Sequence, residues 1–472
     1  MINIQFSIKK ILFVVGYWLL VVSSSAQTIS KKLQDAFQQF ENDPQLSHAI
    51  SSLYVIDAKT GKVVFDKNSQ VGLAGASTQK IITASTAFEL LGKDYRYKTE
   101  LGYRGEIRNG ILIGDIIING SGDPTFGSWR FDSTKDEMLL NQCVSSIKEL
   151  GIQKINGRIA IQGGKWSDQF IPGGWIWDDI GNYYGTGANV VNWRENQYDL
   201  FLKGGESVGD KVDVIKTVPI LKDIYLNSEV VTGKKGSGDN AYIYLAPYSN
   251  YGIIAGTIPL GEKNFKISGS LPSPGVQFLN ELNNSLEKKN ISATNSVDTS
   301  QAKNYFEDII IIQRSYSPTL DSIVYWFLKK SINLYGEALV KTFAYEKQGF
   351  GSTDSGVVIV KNFWKEKGLD ETELHIVDGS GLSPLNRITT HAQVEILKYA
   401  KTKDWFQYFY DALPEYNGMK MKSGTISGVK GFCGYQTSKS GDDYIFSFLI
   451  NNYNGSPSSL VDKMYKVLNI LK

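Results

Sequence analysis

The sequence predicts an α+β protein whose main domain is split by inserted, mostly-β modules. Three observations predict it. The chain has 472 residues, more than one ordinary domain. Helical patterns near both ends give way, between about 97 and 270, to short strands and glycine turns. Two motif-bearing segments, at Ser77 and Ser331, stand 254 positions apart (331 − 77) with that different texture between them.

The first segment reads as a secretory leader. Lys9 and Lys10 precede an apolar run from Ile11 to Val22, too short for a membrane span, and Ser24-Ser25-Ala26 fits a cleavage site. Residues 1–26 are therefore expected to be removed and the protein exported to the periplasm. No cysteine follows the run, which argues against a lipid anchor.

A catalytic domain is expected from residues 27–96 and 300–472. Leu53 to Asp57 and Val63 to Phe65 read as a hairpin, and Thr78 to Leu91 as a helix stopped by Gly92. Ser317-Pro318 precedes a helix reaching Lys330, and a second helix follows Asn333. Strands begin at Lys420, Gly431 and Tyr444. The tail from Ser458 to Lys472 is an amphipathic helix, read as packing on the sheet with a membrane-surface role as the alternative. One inserted domain is expected from 97–165 and 271–299. A second, over 166–270, is expected to nest within it.

Composition excludes several functions. Net charge is +2, and without Lys9 and Lys10 the 48 basic residues (50 − 2) balance the 48 acidic ones, giving no reason to propose nucleic acid. The three histidines are isolated and no metal-ligand spacing occurs, so neither a metal nor a cofactor is expected. Cys143 and Cys433, the only cysteines, read as separate buried thiols.

Three motifs carry the chemistry: Ser77-Thr78-Gln79-Lys80, Ser331-Ile332-Asn333 and Lys422-Ser423-Gly424-Thr425. A serine hydroxyl needs a base, and a lysine three residues on lies on the same helix face. Ser77 is thus the candidate nucleophile and Lys80 its base, with the Lys422 charge helping to keep Lys80 neutral. Ser331 would carry a proton to the leaving amine, and Asn333 would hold Lys80 or the substrate amide. Lys422 and Ser423 would bind a carboxylate, and Gly424 would let the backbone come close. The Ser77 and Thr425 backbone N–H groups would form the oxyanion hole. Decoys exist for the first and third patterns, such as Ser145, Lys59-Thr60-Gly61 and Lys439-Ser440-Gly441, whereas no other serine has asparagine two residues later.

That order is the signature of penicillin-recognising serine enzymes. More closely, the chain resembles the D-alanyl-D-alanine carboxypeptidase/endopeptidase family of the penicillin-binding protein 4 type. Gly122-Asp123-Pro124-Thr125 and Asp378-Gly379-Ser380-Gly381-Leu382-Ser383 add to the likeness, as do Trp175 to Asp179 and Tyr183-Tyr184-Gly185. The resemblance implies a transpeptidase-like fold shared with serine β-lactamases, peptidoglycan stem peptides as substrate, and β-lactams as acylating inhibitors. Ser423 in place of threonine and Ile332 in place of aspartate depart from the family pattern. Competing readings are a serine β-lactamase or esterase, and a non-catalytic cell-wall binding protein. Peripheral membrane association and a dimer stay open.

Overall fold

The computed structural model describes residues 29–294 and 307–472; the expected leader at 1–26 lies outside them. A six-stranded antiparallel sheet forms the frame of the domain that carries the three motifs. Its order is Glu415–Tyr416, Met419–Ile426, Val429–Thr437, Asp443–Asn451, Ile50–Asp57 and Val63–Lys67. The two halves of the expected split domain meet where Ile50–Asp57 pairs with Asp443–Asn451.

Period-two alternation explains how this sheet is covered on both faces. Leu53, Val55, Phe446 and Phe448 point into one core with Phe37, Leu460, Met464 and Leu468. Tyr54, Ile56, Ile445 and Leu449 point into the other, against Ile81, Leu334 and Val394. Each fully buried Leu or Phe contributes roughly 1.5–3 kcal/mol. The tail helix Pro457–Leu468 buries Leu460, Met464, Val467 and Leu468 in the first of these cores, so its apolar stripe is occupied by the sheet. No helix among the described residues is long and apolar enough to cross a membrane.

Two central helices, Lys80–Leu91 and Asn333–Gln348, are buried over most of their length, from Lys80 to Phe88 and from Asn333 to Ala344. A helix enclosed on every side cannot show an amphipathic stripe. Their polar residues bond inward instead: Thr83 Oγ1 donates to Gly379 O at 2.7 Å, and Lys341 Nζ donates to Gln169 O at 2.9 Å and Ala188 O at 3.0 Å.

Between the two halves lies a second sheet, ordered Ser292–Ala293, Lys154–Asn156, Ile111–Asn119, Lys98–Arg108 and Ile310–Tyr316. Helices Asp136–Glu149 and Pro274–Glu287 supply Leu139, Val144, Ile147, Phe278 and Leu282 to its core. The strand Ile310–Tyr316 falls inside the segment assigned from sequence to the catalytic domain, yet it pairs antiparallel with Lys98–Arg108. The edge of the insert therefore lies past residue 316 rather than at 299, because that strand satisfies its backbone on the insert's sheet.

Residues 197–270 form two three-stranded sheets around one small core containing Leu200, Ile243 and Ile254. Residues 166–196, expected to belong with them, carry only short helical turns and bridge the parts: Trp166, Val190 and Trp193 enter the core of the second sheet, whereas Trp175 and Tyr184 bond to Asp378 and Asn333. Cys143 and Cys433 are both free and buried.

Candidate active site

The first motif begins on a short 3₁₀ turn, Ala76–Gln79, that leads into the helix Lys80–Leu91. Ala76 has a φ of 47°, a left-handed conformation that L side chains rarely adopt. The turn is held from several sides. Thr78 Oγ1 donates to Gly75 O at 2.6 Å and accepts from Gln393 Nε2 at 2.8 Å. Gln79 Nε2 donates to Asp378 O at 2.7 Å. Such a preset turn fixes Ser77 before any ligand arrives.

Lys80 Nζ donates to Ser77 Oγ at 2.9 Å, to Asn333 Oδ1 at 2.6 Å and to Ser380 O at 2.7 Å. Lys80 is wholly buried. Burial first, and then the charge of Lys422, push its ammonium well below the usual lysine range, against the pull of Asp378 and Glu337. A neutral amine beside a serine hydroxyl is a base in position.

Ser331 sits in the turn between helices Leu320–Lys329 and Asn333–Gln348 with a φ of 59°, the second strained residue of the site. Lys422 Nζ donates to Ser331 Oγ at 3.0 Å and to Ser423 O at 2.8 Å. Burial pushes Lys422 down to about 7. Asn333 spans the cleft: its Oδ1 accepts from Lys80, and its Nδ2 donates to Tyr184 O at 2.7 Å.

The third motif lies on Met419–Ile426, whose outer neighbour, Glu415–Tyr416, pairs only with Lys420 and Met419. Beyond Lys420 that edge has no partner strand among the described residues. A Cβ at Gly424 would meet Gly75 O at 2.4 Å, Thr78 N at 2.9 Å and Ser77 N at 3.0 Å, so only glycine lets this strand lie against the nucleophile's turn. Ser423 is half-buried and Thr425 exposed, and Thr425 Oγ1 accepts from Lys430 Nζ at 2.8 Å. All eight residues singled out in the sequence thus converge on one region. Ser77, Ser331, Asn333 and Thr425 line a cleft of about 710 Å³ with Arg130 and Tyr184. The decoys fall elsewhere: Lys59-Thr60-Gly61 is a turn organised by Asp57 Oδ1, which accepts from Lys59 N and Thr60 N.

Sequence reasoning assigned no role to the acidic support behind the lysine. Asp378 is fully buried. It accepts from Trp175 Nε1 at 3.0 Å, Gly381 N at 2.8 Å, Ser383 N at 2.7 Å and Asn386 Nδ2 at 2.9 Å. Glu337 accepts from Gly379 N at 3.1 Å, and burial beside Asp378 pushes it up to about 8. One signal for Glu337 was present, since it lies four residues after Asn333 and so on the same helix face.

Residues 33–415 match the D-Ala-D-Ala carboxypeptidase 3 (S13) family, a stretch holding the first two motifs and ending just before Lys422. The chain belongs to that family. It is a serine-type hydrolase of the D-alanyl-D-alanine carboxypeptidase class, acting on peptidoglycan. The D-alanyl-D-alanine carboxypeptidase of Actinomadura sp. (strain R39) is 24% identical, the alignment covering 91% of this chain and 82% of that protein. D-alanyl-D-alanine carboxypeptidase DacB of Haemophilus influenzae is 23% identical, covering 93% and 92%. The crystal structure of penicillin binding protein 4 (dacB) from Haemophilus influenzae superposes with a TM-score of 0.78 at 19% identity, over 93% of this chain and 98% of that one. The same protein complexed with a β-lactam gives 0.73 over the same shares, at 19% identity. The α+β, penicillin-binding-protein-like fold expected from the sequence is the fold observed.

Proposed function

We propose that this S13 hydrolase cleaves the terminal D-alanyl-D-alanine bond of stem peptides through an acyl-enzyme on Ser77. The observation that carries the assignment is the 2.9 Å contact between Ser77 Oγ and Lys80 Nζ, with that amine buried and shifted toward its neutral form. Lys80 accepts the hydroxyl proton as Oγ bonds to the penultimate D-alanine's carbonyl carbon. The oxyanion is held by the Ser77 and Thr425 backbone N–H groups; losing one such donor typically costs about 10²–10³ in rate. Ser331 passes a proton to the departing amine, the C–N bond breaks, and D-alanine leaves. Water then attacks the ester and restores Ser77.

Lys422 and Ser423 are assigned to the terminal carboxylate, with Lys430 as a nearby second cation. Asn333 holds Lys80 in line. A β-lactam presents a carboxylate and a strained amide in the same relation, so it is expected to acylate Ser77. Endopeptidase cleavage of cross-links uses the same chemistry with a larger leaving amine. Export to the periplasm rests on the leader at 1–26. The tail helix packs its apolar stripe against the sheet, so that segment is assigned a structural role rather than a membrane one.

Labelling wild type and Ser77→Ala with a fluorescent penicillin tests the nucleophile; equal labelling would sink it. Purified muropeptides then separate the activities. Release of D-alanine marks a carboxypeptidase, dimer cleavage an endopeptidase, and opening of a β-lactam ring alone a β-lactamase.

A further inference from the structure

The small nested module turns an aromatic face to solvent. Its sheet of Asn240–Tyr244, Tyr251–Ile258 and Tyr225–Thr232 buries Ile243 and Ile254 on one side. Alternation along the strands sends Tyr242, Tyr244, Tyr251 and Tyr225 to the other. Register sets Tyr251 directly opposite Tyr225, and Ile253 opposite Tyr244. The Tyr225 and Tyr251 rings stack at 5.7 Å with planes 23° apart, and Trp177 lies 5.9 Å from Tyr244. Tyr225 is 62% exposed, and Tyr251 and Trp177 are each 50% exposed.

The sheet is mixed, its central strand antiparallel to Asn240–Tyr244 and parallel to Tyr225–Thr232. A sheet face open to water ordinarily presents polar residues, and a contiguous aromatic surface marks a binding site. A groove of about 400 Å³ runs along this surface between Trp177, Tyr244, Tyr251 and Ile253. Tyr244 lines both this groove and the catalytic cleft, so the two adjoin at that ring. Whatever enters the cleft as one branch of a polymer has a path along the rings.

We propose that this face binds the glycan strand of the polymer whose stem peptide enters the cleft, an inference that rests on the carboxypeptidase reading. Pyranose rings present C–H bonds on their flat faces and hydroxyls at their rims. Stacked tyrosine and tryptophan rings match the faces, and the tyrosine hydroxyls and Ser249 reach the rims. Charge points the same way. Glu229 is the groove's one charged lining residue among the described residues, which disfavours anions. A glycan whose lactyl carboxyl is already bonded to the stem peptide carries no charge there.

The test uses the full chain and a Tyr225→Ser/Tyr251→Ser variant, titrated with uncharged N-acetylglucosamine oligomers and followed by tryptophan fluorescence. Both substituted side chains are solvent-facing and outside the cleft lining, so the fold and the reaction with small substrates are expected to persist. The variant should bind the oligomers at least about 10-fold more weakly. It should also release D-alanine about 5-fold more slowly from intact sacculi, with release from a soluble stem peptide unchanged. Equal oligomer binding by the two proteins, or no binding by either, overturns the glycan assignment. So does a concentration-dependent dimer that the substitutions abolish while oligomer binding stays. A wild type that releases no D-alanine from the soluble peptide overturns the carboxypeptidase reading instead, so the two failures are read separately.

Discussion

Lys422 Nζ lies 3.0 Å from Ser331 Oγ, joining the second and third motifs across 91 positions. Lys80 Nζ stands in the same relation to Ser77 Oγ at 2.9 Å. Each serine proposed for catalysis thus has its own buried lysine, and each lysine is pushed down from its ordinary range. In the proposed mechanism the pair divides labour: one amine is to take a proton, and the other is to carry charge to meet a carboxylate.

Replacing the nucleophile is the sharpest perturbation. Ser77→Ala should lower kcat/KM for D-alanine release by more than about 10³-fold, as removal of a serine nucleophile does elsewhere. Thermal stability should change little, because Ser77 is not fully buried. Near-normal turnover by this variant would remove Ser77 from the mechanism.

The lysine pair sets a pH dependence. Lys422 loses its proton near 7 in the free enzyme, so kcat/KM for a carboxylate-ended peptide should fall as pH rises through that value. Lys80 must be neutral to act as base, so protonating it at acid pH should also lower the rate and complete a bell. In Lys422→Arg the guanidinium keeps its charge, and the basic limb should disappear. A wild-type profile that stays flat between about pH 6 and 9 would contradict both assignments.

Gly424→Ala should disturb the nucleophile's turn. The added methyl would press on Gly75 O and the Ser77 backbone, which cannot move aside as a flexible side chain would. Acylation by a β-lactam should slow by about 10²-fold or more if the oxyanion donors separate. Overpacking should cost about 1–3 kcal/mol in denaturant unfolding. Acylation at the wild-type rate would show that the two segments are not in contact.

Asp378→Asn tests the support behind the lysine. An amide turns an N–H toward at least one of the donors that Asp378 now accepts from, including Trp175 Nε1 and Asn386 Nδ2. Breaking a buried charged network of this kind costs about 3–5 kcal/mol, to be read as a lower midpoint in denaturant. An unchanged midpoint would mean that the loop Asp378–Ser383 holds its shape without the carboxylate.

Much of this site was legible because its motifs are local. A lysine three residues after a serine, an asparagine two residues after another, and a glycine in a strand are patterns within one turn or one edge. The elements followed periodicity closely: the helix expected from Thr78 to Leu91 spans Lys80–Leu91, and the strands expected to begin at Lys420 and Tyr444 span Met419–Ile426 and Asp443–Asn451. What escaped was long-range. The Trp175–Asp378 bond spans 203 positions and the Asn333–Tyr184 bond 149, and no local pattern encodes either partner. Ile310–Tyr316 shows the same limit. Its composition marks a strand, but which sheet completes its backbone is decided by neighbours far away in sequence.

That strand also changes how the modules are fastened. Were the insert a simple cassette, it could be cut out near 97 and 299 and the ends rejoined. With Ile310–Tyr316 sewn along Lys98–Arg108, such an excision would leave the graft with a bare edge, open to pairing with other chains. The seam, rather than the linker, is the unit that any transplant or truncation must carry across.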